Sequence, residues 1–371
     1  MTEIRTVLIG YGGMGRQDAA LLYSGAVNGM RLTGICCRNR EGQKDITIRY
    51  PDVKIYENAD AMFADADSFD SLVIVTPHKT HADLASRAIQ LGKHVLVDKP
   101  LGISTGEVRK VLALAEERQV ACGTIFNMRG YPVYQKAKEL IENGKLGKLH
   151  RAVWVANSWY RSPTYHSSSA WRSTWNGEYG GLLINQCQHS LDIWQWLLGL
   201  PDRVYASIDY GKYNDFRVDD AVDMQMEYTS GLHGTFIASS GEAPGVNRLE
   251  IWGSKGRLCI EDNLRLTFHE NEKDLETFAA ENKEIYASLP YTSKQIPVRE
   301  DYSDSYQILF QKFSDHIRHG TALLASGEDG LKALLLSGAA YLSSWHHQSI
   351  HLPFEDSAYD AFLAHMLESE R

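Results

Sequence analysis

Three groups of side chains have the types and spacing to do chemistry. The first is Lys99, between Asp98 and Pro100 and directly after the apolar run His94-Val95-Leu96-Val97. A lysine at the carboxyl end of a parallel strand, turned by a following proline, lies where such sheets bind ligands, and its ammonium can hold an oxygen that gains negative charge. The second is His189, with Asn185 four residues before it and Asp192 three after. On one continuous helix these positions share a face, and an imidazole there can take the proton of an alcohol. The third is Gly10-Tyr11-Gly12-Gly13-Met14-Gly15, which follows an apolar strand and opens a helical pattern. Gly10 suits the tight turn, Gly12 lets backbone approach a pyrophosphate, Gly15 permits close helix packing, and the helix N-terminus receives the anion. Alone, each has a plain structural reading: a surface lysine, a core histidine, a loop of glycines. Together they predict hydride exchange between a nicotinamide and an alcohol, with His189 taking the proton and Lys99 steadying the alkoxide.

The elements that must position these groups change character along the chain. From Ile4 to about Phe126, short β-branched runs alternate with helical segments. The strands are Thr6 to Ile9, Leu32 to Cys36, Leu72 to Thr76, His94 to Val97 and Val120 to Phe126; helices run from Gly13 to about Ser24, Thr80 to Leu91 and Ser104 to Arg118. This pattern predicts a Rossmann domain over residues 1–126, a doubly wound parallel sheet. From Asn127 onward come a helix (Pro132 to Glu142), a strand (Leu149 to Asn157), a helix from about Gly181 to Leu198, and then strand segments joined by short turns up to Ile260. These predict a C-terminal α/β domain, residues 127–371, with a large open, mostly antiparallel sheet for substrate binding and oligomerisation. Residues 271–299 read as a charged surface excursion. Two helices (Asp304 to Arg318 and Asp329 to His346) and a short one after Pro353 close the chain, and can pack back on the first domain.

Past the second strand, where a carboxylate would hold an adenosine ribose, the sequence has Cys37-Arg38-Asn39-Arg40. No acid there repels a 2′-phosphate and arginine can accept one, so the cofactor is NAD or NADP. The net charge of −9, without a long Lys/Arg cluster, speaks against nucleic acid. Five cysteines (Cys36, Cys37, Cys122, Cys187, Cys259), with no CxxC spacing, indicate reduced thiols rather than a disulfide framework or zinc site. No apolar run approaches a membrane span and no signal peptide is evident, so the expectation is a cytoplasmic protein without a membrane partner. His346 and His347 are adjacent near a helix end, a poor chelating geometry, and no metal is expected. Asp219/Asp220 reads as a solvated turn or strand edge.

The glycine turn, Thr76-Pro77 with His81, Gly92-Lys93-His94-Val95, Asp98-Lys99-Pro100 and the segment from Gly180-Gly181 to His189-Ser190-Leu191-Asp192 together resemble the Gfo/Idh/MocA family, the glucose-fructose oxidoreductase and inositol dehydrogenase group. The motifs fall in the family's order over nearly the whole chain. The resemblance implies a Rossmann domain and an open-sheet domain that often forms an oligomer interface, hence a homo-oligomer (dimer or tetramer), with sugars, cyclitols or related polyols as substrates. Lys99 matches the lysine of the family's Glu-Lys-Pro motif, which hydrogen-bonds the reacting oxygen, and His189 matches its acid/base histidine. Two positions depart from the pattern. Asp98 replaces the usual glutamate, and Asn185 stands where inositol dehydrogenase-like members have an aspartate; an amide can orient a hydroxyl but cannot take a proton.

The resulting expectation for the site has three parts. Lys99, His189 and Asn185 are catalytic. Gly10, Gly12, Gly13, Met14, Gly15, Cys37, Arg38, Thr76, Pro77, His78, His81, Asp98, Lys99 and Asn127 hold the dinucleotide. Tyr160, Arg161, Trp171, Trp175, Asn185 and Gln186, with Lys99 and His189, meet the substrate, and Asp192 joins Gln186 in the surrounding shell. Aromatic faces suit the C–H sides of a sugar; Arg161 and Arg172 also suit a carboxylate. Two other classes fit the same residues: a hydrolase or lyase that oxidises a ring carbon transiently with no net redox change, and a dinucleotide-binding sensor without chemistry.

Overall fold

Short apolar runs rich in valine, isoleucine and leucine form the first sheet, as expected for strands buried on both faces. The computed structural model describes residues 3–169 and 171–370, and its chain divides into two units. The first comprises Met1–Gly130, Gly177–Tyr179 and Asp304–Leu334. Its strands are β1 (Ile4–Ile9), β2 (Met30–Cys36), β3 (Lys54–Tyr56), β4 (Ser71–Ile74), β5 (His94–Asp98) and β6 (Cys122–Ile125). All pair parallel in the order β3-β2-β1-β4-β5-β6, the doubly wound dinucleotide-binding arrangement. The carboxyl ends of β1, β4 and β5 therefore lie side by side, which brings the glycine turn, the Thr76-Pro77 turn and Lys99 to one edge.

Local signals set the connecting helices. Ser104 and Glu107 form a reciprocal capping box on helix Thr105–Arg118. Asn39 caps helix Arg40–Arg49 by accepting from the Gly42 amide at 2.5 Å. That helix, β3 and helix Ala59–Ala64 escape the sequence pattern because they are short or mostly polar; Gly42 and Ile46 alone are buried in the first of them. Helix Ser305–His319 belongs to this unit: Leu309, Phe310 and Phe313 pack into the same core as Leu8, Val73 and Leu96.

The second unit comprises Tyr131–Asn176, Gly180–Ser303 and Leu335–Arg371. Nine strands form its sheet: β7 (Leu149–Ala156), β8 (Arg203–Tyr210), β9 (Asp219–Glu227), β10 (His233–Ser239), β11 (Asn247–Gly253), β12 (Gly256–Glu261), β13 (Arg265–Asn271), β14 (Tyr291–Ile296) and β15 (Ile350–His351). The order is β14-β13-β12-β11-β7-β10-β9-β8-β15, and every pair is antiparallel except β7 with β10. Alternation is clean in β8, where Val204, Ala206 and Ile208 are buried and their neighbours exposed. Helix Gln188–Leu198 lies on the buried face: Trp194 meets Phe236 edge-on at 6.4 Å, and a Cβ at Gly234 would come within 2.4 Å of the Trp194 ring. The 271–299 excursion contains helix Leu275–Glu281 and the exposed edge strand β14, whose polar sequence offers no alternation to read. No helix among the described residues is long and apolar enough to cross a membrane.

Candidate active site

The glycine turn has a distinct structural reason at each position. Gly10 adopts φ +103°, and a Cβ there would lie 2.1 Å from the Val75 carbonyl oxygen; one at Gly15 would lie 1.9 Å from the Gly10 carbonyl oxygen. Gly10 thus lets the turn lie against the end of β4, and Gly15 lets the helix close onto the turn itself. Around Gly12 and Gly13, by contrast, a Cβ would meet nothing within 4 Å. The start of helix Gly13–Tyr23 thus faces open space with no acid in its first turn, which fits an approaching pyrophosphate. Met14 is exposed beside it.

Just past β2 the Cys37 side chain is buried in the core, which leaves only its backbone for a ribose. Arg38 and Arg40 are exposed, and their guanidinium groups make no ion pair or hydrogen bond among the described residues. The nearby Asp45 is already taken, accepting from Tyr11 Oη and Arg49 Nε, each at 2.8 Å, and from Arg16. Those hydrogen bonds hold its carboxyl below the usual carboxylate range.

The turns after β4 and β5 are tied together by His81. Its ring is fully buried, with Nδ1 at 2.7 Å from the Pro100 carbonyl oxygen and Nε2 at 2.6 Å from that of Thr76. Both nitrogens are therefore spent on backbone. His81 braces the turn carrying Lys99 against the turn carrying Thr76. His78 is likewise almost buried, Nδ1 lying 3.0 Å from the Glu178 carbonyl oxygen. Asn127 is mostly buried and donates to Ser305 Oγ at 3.4 Å. Thr76 shares a hydrogen bond with Thr80, and Asp98 accepts from the Lys99 amide at 2.8 Å. Lys99 is half-buried. Asp18, on the helix after the glycine turn, escaped the sequence reading. Burial, with the charge of Asp98 adding, pushes this enclosed carboxyl well above its ordinary range.

In the second unit the helix expected from Gly181 to Leu198 is two helices, Leu182–Asn185 and Gln188–Leu198. The Cys187 amide donates to the Leu182 carbonyl, five residues back, at 2.8 Å. This widened turn falls between Asn185 and His189, so the single-face spacing does not carry across it. Asp192 is fully buried and accepts from Gln195 Nε2 at 3.0 Å. Asn185, Gln186 and His189 are half-buried.

Asp219 and Asp220, expected at a solvated edge, are instead buried structural groups. Asp219 accepts from the Gly181 and Leu183 amides, each at 2.7 Å, and from Tyr341 Oη at 2.5 Å. It thereby anchors the N-terminus of the helix carrying Asn185. Burial pushes its carboxyl up against these three donors. Gly181 is required there, since a Cβ would lie 2.2 Å from the Asp219 carbonyl oxygen. Asp220 accepts from the Lys212 and Tyr213 amides at 2.9 and 2.8 Å.

The aromatic loop centres on Tyr165, another residue the sequence reading did not single out. Its hydroxyl oxygen accepts from Arg172 Nη1 at 2.6 Å, Gln186 Nε2 at 3.3 Å and Asn185 Nδ2 at 3.4 Å. Tyr165 thus links the loop to the residues preceding His189. Tyr160 is exposed, and Arg161 and Trp171 are half-buried. Trp175 is a core residue, not part of a sugar-binding wall. It is fully buried, donates to the Arg217 carbonyl at 2.9 Å and packs on Tyr341 and Phe362.

Residues 4–126 match the model of the oxidoreductase family with an NAD-binding Rossmann fold, and residues 134–259 match the GFO/IDH/MocA C-terminal domain. Myo-inositol 2-dehydrogenase of Thermotoga maritima is 27% identical over 90% of this chain and 92% of its own length. The NADP(+)-dependent scyllo-inositol 2-dehydrogenase of Bacillus subtilis is 24% identical over 85% of this chain and 86% of its own. In fold, the chain is similar to levoglucosan dehydrogenase in complex with NADH and levoglucosan, with a TM-score of 0.81 and 19% identity over 95% of this chain and all of that one. With both domains matched in order, the chain belongs to the Gfo/Idh/MocA family of NAD- or NADP-dependent oxidoreductases.

Proposed function

We propose that this protein exchanges hydride between the nicotinamide of NAD or NADP and a secondary alcohol or ketone of a sugar, anhydrosugar, glycoside or cyclitol. The observation that carries this reading is the shared edge of β1, β4 and β5, where the open start of helix Gly13–Tyr23 follows β1 and Lys99 directly follows β5, with only β4 between them. The bound dinucleotide supplies the hydride acceptor or donor. Lys99 hydrogen-bonds the reacting oxygen and stabilises its charge as the proton leaves; His189 takes or returns that proton; Asn185 orients a neighbouring hydroxyl. The likeness to inositol dehydrogenases supports the polyol class, and the NADP-dependent relative supports keeping both dinucleotides.

Absorbance at 340 nm, followed with NAD and with NADP across polyols, sugars, glycosides and anhydrosugars, tests this. Turnover with at least one substrate is expected, falling by about 100- to 1,000-fold in Lys99→Ala. No turnover by the wild type, or full turnover by Lys99→Ala, contradicts it. Bond cleavage without accumulation of reduced dinucleotide, seen in the product mixture, would instead identify a hydrolase or lyase.

A further inference from the structure

Between Asn157 and Gly177 the sequence places Arg161, His166 and Arg172 and not one Asp or Glu, in a chain whose net charge is −9. The structure gathers both arginines around one ring. The Arg161 guanidinium stands 5.2 Å from the centre of Tyr165 and 5.7 Å from that of Trp159. The Arg172 guanidinium stands 4.3 Å from Tyr165 and 4.8 Å from Trp171. Arg161 donates to the Tyr160 carbonyl at 3.0 Å and meets no carboxylate within 4.0 Å among the described residues. The acid nearest in charge to His166, Asp220, is engaged by two backbone amides.

The cluster is also rich in donors. Arg172, Asn185 and Gln186 all donate to the single Tyr165 oxygen. Aromatic faces hold the guanidinium planes in place, so little side-chain freedom is lost when their edges bind a ligand. The arrangement complements an anion with planar, paired acceptor oxygens.

We propose that the substrate carries a carboxylate, gripped by Arg161 beside Arg172 and Tyr165: a sugar acid or an acidic sugar derivative rather than a neutral polyol. This rests on the dehydrogenase reading for the fate of the substrate, but the grip itself is a binding property and is measured without turnover. The probes are D-glucuronate and D-galacturonate, each paired with its methyl ester and its neutral parent hexose, titrated by calorimetry into protein saturated with dinucleotide. At least one acid is expected to bind about 10- to 100-fold more tightly than its ester, the scale of a hydrogen bond to a charged group. Arg161→Gln is expected to remove that preference while leaving dinucleotide affinity and the melting temperature near wild type, and Arg161→Lys to restore part of it. Equal binding of acid and ester, absence of binding by both acids, or an acid preference that survives Arg161→Gln overturns the proposal. Failure of the dehydrogenase reading looks different: the acid binds in preference, yet neither it nor any neutral polyol yields reduced dinucleotide.

Discussion

Asp219 offers a quantitative test of how the second unit positions Asn185 and His189. Its side chain accepts three hydrogen bonds at 2.5 to 2.7 Å, two of them from the first turn of helix Leu182–Asn185, and it is sealed from water. In Asp219→Ala, the Gly181 and Leu183 amides and the Tyr341 hydroxyl all lose their acceptor. At about 1–3 kcal/mol for each stranded buried donor, the loss is about 3–6 kcal/mol after partial rescue by water. Asp219→Asn keeps one acceptor and turns an amide N–H₂ toward the other donors, while relieving the cost of burying a charge. The two effects oppose, leaving a loss of about 1–3 kcal/mol. Urea unfolding of the second unit, followed by tryptophan fluorescence, reads both values. The Asn variant should also lose turnover more than dinucleotide affinity, because the glycine turn lies in the other unit. The reasoning is refuted if Asp219→Asn unfolds within about 0.5 kcal/mol of wild type, the scatter of neutral surface changes, or if Asp219→Ala is no worse than Asp219→Asn.

Three further predictions concern the first unit. Gly12→Ala should fold with wild-type stability yet lose dinucleotide affinity by about 10-fold or more, whereas Gly15→Ala, whose Cβ lies 1.9 Å from a carbonyl oxygen, should lose about 1–3 kcal/mol of stability; calorimetric titration and thermal melting separate the two. Arg38→Ala should weaken NADP binding by about 10- to 100-fold and NAD binding by under about threefold, measured as dissociation constants; equal weakening of both would remove the 2′-phosphate assignment. His94 accepts from the Ala121 amide at 2.9 Å, and burial, then His316, lowers its pKa from 6.5. A lowered folded-state pKa means the stabilisation is complete above the ordinary histidine range and is lost as pH falls through the folded value. Stability to urea should therefore decline from about pH 7 to pH 5, with a shallower slope in His94→Gln.

What the sequence revealed and what it hid follow from the range of the interactions involved. The glycine turn, the capping box at Ser104 and Glu107, and the Asp98-Lys99-Pro100 strand end are set by neighbours in sequence, and could be read there. Cys37 and Trp175 have types and positions that suit ligand binding, but their burial depends on packing partners far along the chain. Nothing around His81 in sequence shows that both its ring nitrogens face carbonyls from two different turns. Asp219 lies 36 and 38 positions from the amides it caps, so an acidic pair on a strand edge gave no hint of that role. The break at Gln186 and Cys187 is invisible to helical periodicity, which continues through it. Tyr165 carries the clearest missed signal: a tyrosine amid arginines and tryptophans in an acid-free loop.

The central claim is that this chain moves hydride to and from a carbinol carbon. Its most direct test uses the best substrate from the 340 nm panel, deuterated at each ring carbinol in turn, with mass spectrometry of the recovered dinucleotide. The account predicts one deuterium in the reduced nicotinamide from a single labelled position, formed more slowly in His189→Ala. Reduced dinucleotide without label from any position, or no reduced dinucleotide with any substrate, contradicts it.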